Sequence, residues 1–260
     1  MELDIYYVDA FTDKLFSGNP AAVIFSDIND TNLMQSIAAE NNLSETAFIN
    51  KKSGTYNIRW FAPSCEIDLC GHATLASAFV YFNFIEPSAN NIRFLSLKNG
   101  FLDVNKKNNL LYLDFPKDKL AHVDNNLQIV NALKIEPLEI YKGRDDYLVI
   151  LESEKDVANL NPDFFMFKNI DARGLIVSST SKNYDFISRC FFPTTGVDED
   201  PVTGSAHTTL IPYWSKKLNK KNLHAMQISK RGGELKCSDN GSRVSIGGNA
   251  VLYLKGKIFI

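Results

Sequence analysis

The chain reads twice. Tyr56–Pro63 has the alternation of a strand, runs into an acidic loop, and is followed by Gly71-His72-Ala73-Thr74 opening an apolar segment. Tyr184–Pro193 repeats the pattern: an acidic loop follows, then Gly204-Ser205-Ala206-His207 opens a second uncharged segment. Each is followed by a strand, a turn and a strand, at Phe94–Gly100 in the first half and Gln227–Gly233 in the second. Three matching blocks in one order point to an internal duplication, which requires both halves to build the same supersecondary unit.

Between these blocks the periodicity is that of short alternating strands, as at Leu3–Val8, Ala21–Phe25, Tyr56–Phe61 and Leu110–Phe115, with few helices. From Ala73 to Phe84 there is no charge and apolar residues fall on every face, the pattern of a helix buried all round. Ser205–Trp214 is equally uncharged, and Pro212 within it predicts a bend, because an interior proline removes a helix hydrogen bond. A helix buried on all sides needs a wall, and curved sheet from the same half supplies one. The predicted fold is therefore α+β, with two pseudo-symmetric domains, each a strand-rich half-barrel around a central helix. The repeat places the boundary within residues 116–125, giving domains 1–117 and 118–250, with the final strand, residues 251–260, able to cross back to the first half.

Composition excludes several function classes. A chain of 260 residues with 45% hydrophobic and 22% charged residues is an ordinary globular protein. A net charge of -2 offers no field for phosphate backbones, and the short basic cluster Lys216, Lys217, Lys220 and Lys221 reads as a solvated helix end, so nucleic acid is not an expected partner. The N-terminus has no signal-peptide pattern, and the longest uncharged stretch, Gly71–Ile85, is too short to span a bilayer. A cytoplasmic protein with no membrane association is expected. Cys65, Cys70, Cys190 and Cys237 show no C-x-x-C spacing, which predicts no zinc site and free, partly buried thiols at three of them; Cys70, at a helix start, reads as a small buried residue, with a reactive thiol of lowered pKa as the alternative. No Gly-x-Gly-x-x-Gly turn stands between strand and helix, and no ligand cluster is visible, so neither cofactor nor metal is expected.

Gly71 and Gly204 at the two helix starts let a ligand approach the backbone, where unpaired N–H groups and the helix dipole favour a carboxylate. Nearby stand residues able to move protons: His72 at the first start, Asp200 and Ser205 at the second, and Glu45 before a strand of the first half. Each has a bland alternative. Asp200, before Pro201, reads equally as a turn or cap residue, Ser205 as a helix cap, His72 as a buried hydrogen-bonded histidine, and Glu45 as an exposed surface residue. Only their joint arrangement favours chemistry.

Gly18-Asn19-Pro20-Ala21-Ala22-Val23, Ser44-Glu45-Thr46-Ala47-Phe48, Phe61-Ala62-Pro63 with Cys70–Thr74, Glu199–His207 and Gln227–Gly233 together resemble the phenazine-biosynthesis-like isomerase family, nearly end to end and in the family's order. The resemblance implies the diaminopimelate-epimerase-like fold, an active site in a cleft between two domains, and a homodimer. It makes Glu45 the acid/base that takes a proton from one carbon and returns it to another. His72, Asp200 and Ser205 hold substrate or share the proton, and the backbone at Gly71 and Gly204 faces a small carboxylate-bearing substrate. General acid–base work calls for a pKa near the working pH, which burial of Glu45 would favour, and two carboxylates in one site are expected to split their pKa values.

Two rival readings stand beside this one. Racemases and epimerases of the same fold use one thiol at each central-helix start; Cys70 occupies the first such place, but the second falls on Pro201, which disfavours a two-thiol reaction. A small-molecule-binding protein without turnover would keep the fold and the ligand cleft, yet would have no need of an acid/base.

Overall fold

A computed structural model describes residues 1–260, which divide into two compact units: Met1–Phe115 with Ile246–Ile260, and Pro116–Ser245. In the first unit, strand Glu2–Ala10 pairs antiparallel with Asn19–Phe25. Asn19–Phe25 pairs parallel with Glu45–Lys52, the crossover being helix Thr31–Asn41. Glu45–Lys52 pairs antiparallel with Thr55–Phe61, which pairs parallel with Asn91–Ser96 across a second helix, Gly71–Val80. Asn91–Ser96 and Gly100–Lys107 complete the series as an antiparallel pair. The last strand of the chain, Ala250–Phe259, lies antiparallel along Glu2–Ala10, from Glu2 opposite Phe259 to Ala10 opposite Ala250.

The second unit repeats this order with different residues. Glu139–Lys142 pairs antiparallel with Asp146–Ile150, and that strand runs parallel to Gly174–Ser179 across the short helix Glu154–Ala158. Gly174–Ser179 pairs antiparallel with Phe186–Phe192, which runs parallel to Asn222–Gln227 across helix His207–Leu218; Gly233–Asp239 follows antiparallel. Both units therefore alternate antiparallel, parallel, antiparallel, parallel, antiparallel. Parallel neighbours need a crossover, and both units supply helices at the same two places. The fold is α+β with pseudo-symmetric halves.

Local chemistry explains where the elements begin and end. Asp30 accepts from the Asn32 and Leu33 N–H groups and starts the first crossover helix, and Asn42, in the left-handed region at φ 48°, ends it. Ser153 and Asp156 form a capping box on the short helix of the second unit. Within Gly71–Val80 every residue but Phe79 is buried, as the all-round apolar pattern predicts, and a wider π-helical turn, Tyr81–Ile85, continues it. The Thr74 and Ser77 hydroxyls donate to the Cys70 and Ala73 carbonyls, so polar groups enter this core already paired.

The second central helix starts later than the sequence suggests. Gly204, Ser205 and Ala206 form a tight turn, in which His207, Thr208 and Thr209 donate to the Gly204, Ser205 and Ala206 carbonyls; regular helix runs from His207 to Leu218. Pro212 does not end it. The Thr208 carbonyl, which a residue with an N–H at position 212 would have satisfied, accepts instead from the Asp118 N–H at 3.2 Å. Trp214 stacks on Phe186 at 5.7 Å and donates its indole N–H to Ser178 Oγ at 2.9 Å. The helix ends in the expected solvated lysines, with Lys217 paired to Glu139 and Lys220 just beyond it paired to Asp185. No helix is long and apolar enough to cross a membrane.

Candidate active site

In the first unit, three sequence-distant segments bring titratable groups together. Glu45 is the first residue of its strand, opposite Ala21 in the parallel register. Its carboxylate Oε2 lies 3.0 Å from His72 Nε2, with the two side chains 17% and 6% exposed. The surface reading of Glu45 is thereby excluded. His72 is the second residue of the central helix, and its other nitrogen, Nδ1, faces Asn19 Nδ2 at 3.1 Å and Cys70 Sγ at 3.5 Å. Gly71, at the helix start, is buried; Cys70 before it gives no side-chain cap, so the first-turn N–H groups have no side-chain acceptor from that residue.

The Gly18-Asn19-Pro20 segment, which reads as a turn, delivers Asn19 to this cluster. Gly18 sits at φ 67°, and a Cβ there would lie 2.2 Å from the Ala10 carbonyl oxygen, so only glycine fits. The next residue, Asn19, enters the sheet opposite Ala10 and is fully buried. Sequence reasoning left it out of the site because its partner is 53 residues away.

The electrostatics follow from burial and neighbours. Burial, then the nearby Glu45 carboxylate, pushes the Cys70 thiol up to about 11, so it is a neutral thiol at pH 7. Burial alone would push His72 down, but the groups beside it, Cys70 and Glu45, raise it well above the ordinary histidine value. With the thiol neutral, Glu45 is the neighbour left to raise it. The Asn19 amide N–H as placed suits a ring bare at Nδ1, whereas the raised pKa of His72 favours a ring protonated on both nitrogens at pH 7. A fully protonated ring requires Asn19 to turn its amide and present oxygen.

Glu45, Cys70 and His72 each offer one metal-ligand atom, and these atoms lie within 4.8 Å of one another. The expectation that no ligand cluster exists is thus corrected: the sequence shows Cys70 and His72 as a near pair, but Glu45 joins them only through strand placement. All four cysteines are free thiols: Cys65 is exposed, Cys190 and Cys237 are fully enclosed, and Cys70 is a small buried residue and not a helix-start thiol of lowered pKa.

In the second unit, Asp200 ends a short strand, Val197–Asp200, and the loop after it is braced on Gln227 and Ser229. Gln227 is fully buried; its Nε2 donates to the Asp200 carbonyl at 2.7 Å and its Oε1 accepts from the Thr203 N–H at 2.8 Å. Ser229 Oγ donates to the Pro201 carbonyl at 2.7 Å. The Thr203 hydroxyl donates to the Asp200 carboxylate, which gives Asp200 a turn-forming role within its own loop. Ser205 is half-buried in the turn before the helix, and Gly204 is buried. Gln227 and Ser229 stand in the Gln227–Gly233 block, whose sequence gave no hint that its polar residues face the Asp200 loop.

The helix starts correspond residue by residue. Thr74 donates from N–H and hydroxyl to the Cys70 carbonyl four residues back, and His207 Nδ1 donates to the Thr203 carbonyl, also four back, at 2.9 Å. The counterpart of Cys70 is accordingly Thr203 and not Pro201, and that of His72 is Ser205. No thiol stands at the second place.

The sequence profile described as phenazine biosynthesis-like protein matches residues 8–256. This chain belongs to that family. An uncharacterized isomerase of Pseudomonas aeruginosa is 47% identical over 99% of both chains. The crystal structure of a phenazine biosynthesis protein of the PhzF family from Enterococcus faecalis matches with a TM-score of 0.96, at 46% identity over the whole of both chains. At the level of fold alone, a hydroxyproline epimerase from Agrobacterium vitis matches with a TM-score of 0.64 at 10% identity, over 99% of this chain and 91% of that one. As a phenazine biosynthesis-like protein, the chain is an isomerase on the epimerase-type fold.

Proposed function

We propose that this isomerase moves a proton between two carbons of a small carboxylate-bearing metabolite by general acid–base catalysis, with Glu45 as the carrier and no cofactor. The observation that supports this is the partly shielded Glu45–His72 pair at 3.0 Å. In the forward step the Glu45 carboxylate takes a proton from a carbon activated by an adjacent unsaturated or carboxyl group. The electron pair of the broken C–H bond moves into the substrate's conjugated system. Glu45, now a carboxylic acid, returns the proton to a second carbon, and the carboxylate is regenerated. His72 Nε2–H holds the carboxylate in place between the two transfers.

Asp200, Ser205 and the backbone at Gly71 and Gly204 serve in this proposal to hold the substrate. The uncapped start of the Gly71–Val80 helix suits a carboxylate, and the bracing by Gln227 suits a loop that must keep its shape on binding. Free cysteines, one of them exposed, suit a reducing, cytoplasmic setting, and the family resemblance supports a homodimer. A two-thiol racemase is disfavoured by Thr203 in the place of a second cysteine.

The test is proton exchange by NMR in deuterated buffer with a panel of amino, hydroxy and dienoic acids. Wild type should introduce deuterium into one compound class, and Glu45→Gln should abolish it. Exchange that survives Glu45→Gln would remove Glu45 from the mechanism, and binding without any exchange would favour the binding-protein reading.

A further inference from the structure

We infer that Glu45, Cys70 and His72 form a binding site for a borderline-soft divalent cation of the zinc type, and that a cation held there blocks Glu45. The inhibitory half rests on the proton-transfer reading; the binding half does not. The three donors are a thiol sulfur, an imidazole nitrogen and a carboxylate oxygen, all within 4.8 Å of one another. His72 Nε2 lies 3.0 Å from Glu45 Oε2 and 3.9 Å from Cys70 Sγ. Cys70 Sγ stands nearer Nδ1, at 3.5 Å, so the His72 ring and the Cys70 side chain must turn to bring sulfur to the Nε2 side, where zinc bonds of about 2.0–2.3 Å put neighbouring donors roughly 3.3–3.6 Å apart. Sulfur and nitrogen donors select zinc, cobalt or cadmium over magnesium and calcium. Three protein ligands leave the fourth position of the tetrahedron to solvent, and the part-exposed Glu45 side chain gives the ion a route in.

Binding redistributes protons in a defined way. The Cys70 S–H bond breaks, sulfur bonds the cation, and the proton leaves to solvent. His72 releases its Nε2 proton to solvent, gives that lone pair to the metal and keeps its proton on Nδ1. The Asn19 amide oxygen, turned to Nδ1, accepts from that N–H, as the usual outer partner of a metal-bound imidazole does. Glu45, bonded to the metal through oxygen, no longer accepts a proton from carbon.

The experiment is titration of the full-length protein with Co²⁺, followed by absorbance. One equivalent should produce a near-ultraviolet thiolate-to-cobalt charge-transfer band with visible bands of tetrahedral cobalt, and Zn²⁺ should displace both. The band should persist in Cys65→Ala and vanish in Cys70→Ala, with circular dichroism and thermal melting confirming that the variant is folded; Cys70→Ser serves if it is not. In the deuterium-exchange assay, Zn²⁺ should stop wild type, a chelator should restore it, and Cys70→Ala should turn over in zinc that stops wild type. A band that is absent at one equivalent, or unchanged in Cys70→Ala, overturns the site. A normal cobalt spectrum with exchange unaffected by zinc overturns the inhibition. A normal spectrum with no exchange in any compound counts against the catalytic reading and leaves the cation site supported.

Discussion

Asn19 shows how a single buried amide can set the state of the proposed catalytic pair. Its amide meets His72 Nδ1 at 3.1 Å while Glu45 meets Nε2, and with its oxygen turned to Nδ1 it accepts from the protonated ring. Asn19→Leu removes that acceptor, leaves Nδ1–H unpaired in a buried site, and so favours loss of the ring's second proton. The expected result is an exchange rate lowered by ~10–100-fold, part of the roughly 10²–10⁴ that positioned acid–base groups supply. Imidazole ¹⁵N NMR at neutral pH should show both His72 nitrogens protonated in wild type and only Nε2 protonated in Asn19→Leu. Equal ¹⁵N spectra would leave Asn19 a packing residue. At this scale the sequence was partly legible. Glu45 and His72 stand in motifs whose residue types suggest chemistry, whereas Asn19 lies in a Gly-Asn-Pro segment that looks like a turn, and nothing local announces a partner 53 residues away.

The helices and strands divide in the same way. The Gly71–Val80 helix was readable because uncharged residues on all its faces allow no other placement than the interior. The start of the second helix was not, because no capping side chain marks it: Ala206 precedes His207 without a side-chain cap, and the side chains that brace the turn, Thr208 on the Ser205 carbonyl and His207 on the Thr203 carbonyl, come from inside the helix. His207 is the buried residue that anchors this start. Its Nδ1 donates to the Thr203 carbonyl, its Nε2 has no hydrogen-bond partner, and burial lowers its pKa from 6.5 to about 4. The native ring is therefore neutral, while the unfolded chain binds a proton below pH 6.5. The resulting stability is fully present above that pH and is lost as pH falls toward 4, a total on the order of 3 kcal/mol. Between pH 7 and pH 5 wild type should lose about 2 kcal/mol of urea-unfolding stability relative to His207→Asn, whose amide can keep the bond to Thr203; the comparison cancels His72, whose raised pKa acts with the opposite sign. An equal drop in both proteins would assign the acid sensitivity elsewhere.

Across the whole chain, duplication is preserved in topology and abandoned in chemistry. Both units run through the same succession of strand pairings, and that order was visible in the sequence as three repeated blocks, because blocks of alternating and all-apolar residues survive the replacement of individual side chains. The proposed acid/base is not repeated. Glu45 opens its strand opposite Ala21, and the residue that opens the equivalent strand of the second unit, opposite Asp146, is Gly174. A Cβ at Gly174 would lie 2.2 Å from the Phe191 carbonyl oxygen and 2.3 Å from the Phe192 ring, so the second unit cannot carry a side chain there, still less a carboxylate. This contact is to backbone of the neighbouring strand, which cannot give way as a flexible side chain would. Gly174→Ala should therefore destabilise the protein by about 1–3 kcal/mol, the range for overpacked interiors, although the substitution adds a single methyl group. Gly256→Ala, where the same added methyl meets only the Leu254 side chain at an ordinary 3.5 Å, is the matched control and should lose no more than roughly 0.5 kcal/mol. A Gly174→Ala protein as stable as wild type would show that the strand can shift, and that the one-sidedness of the proton carrier comes from selection on the reaction and not from a packing constraint in the second unit.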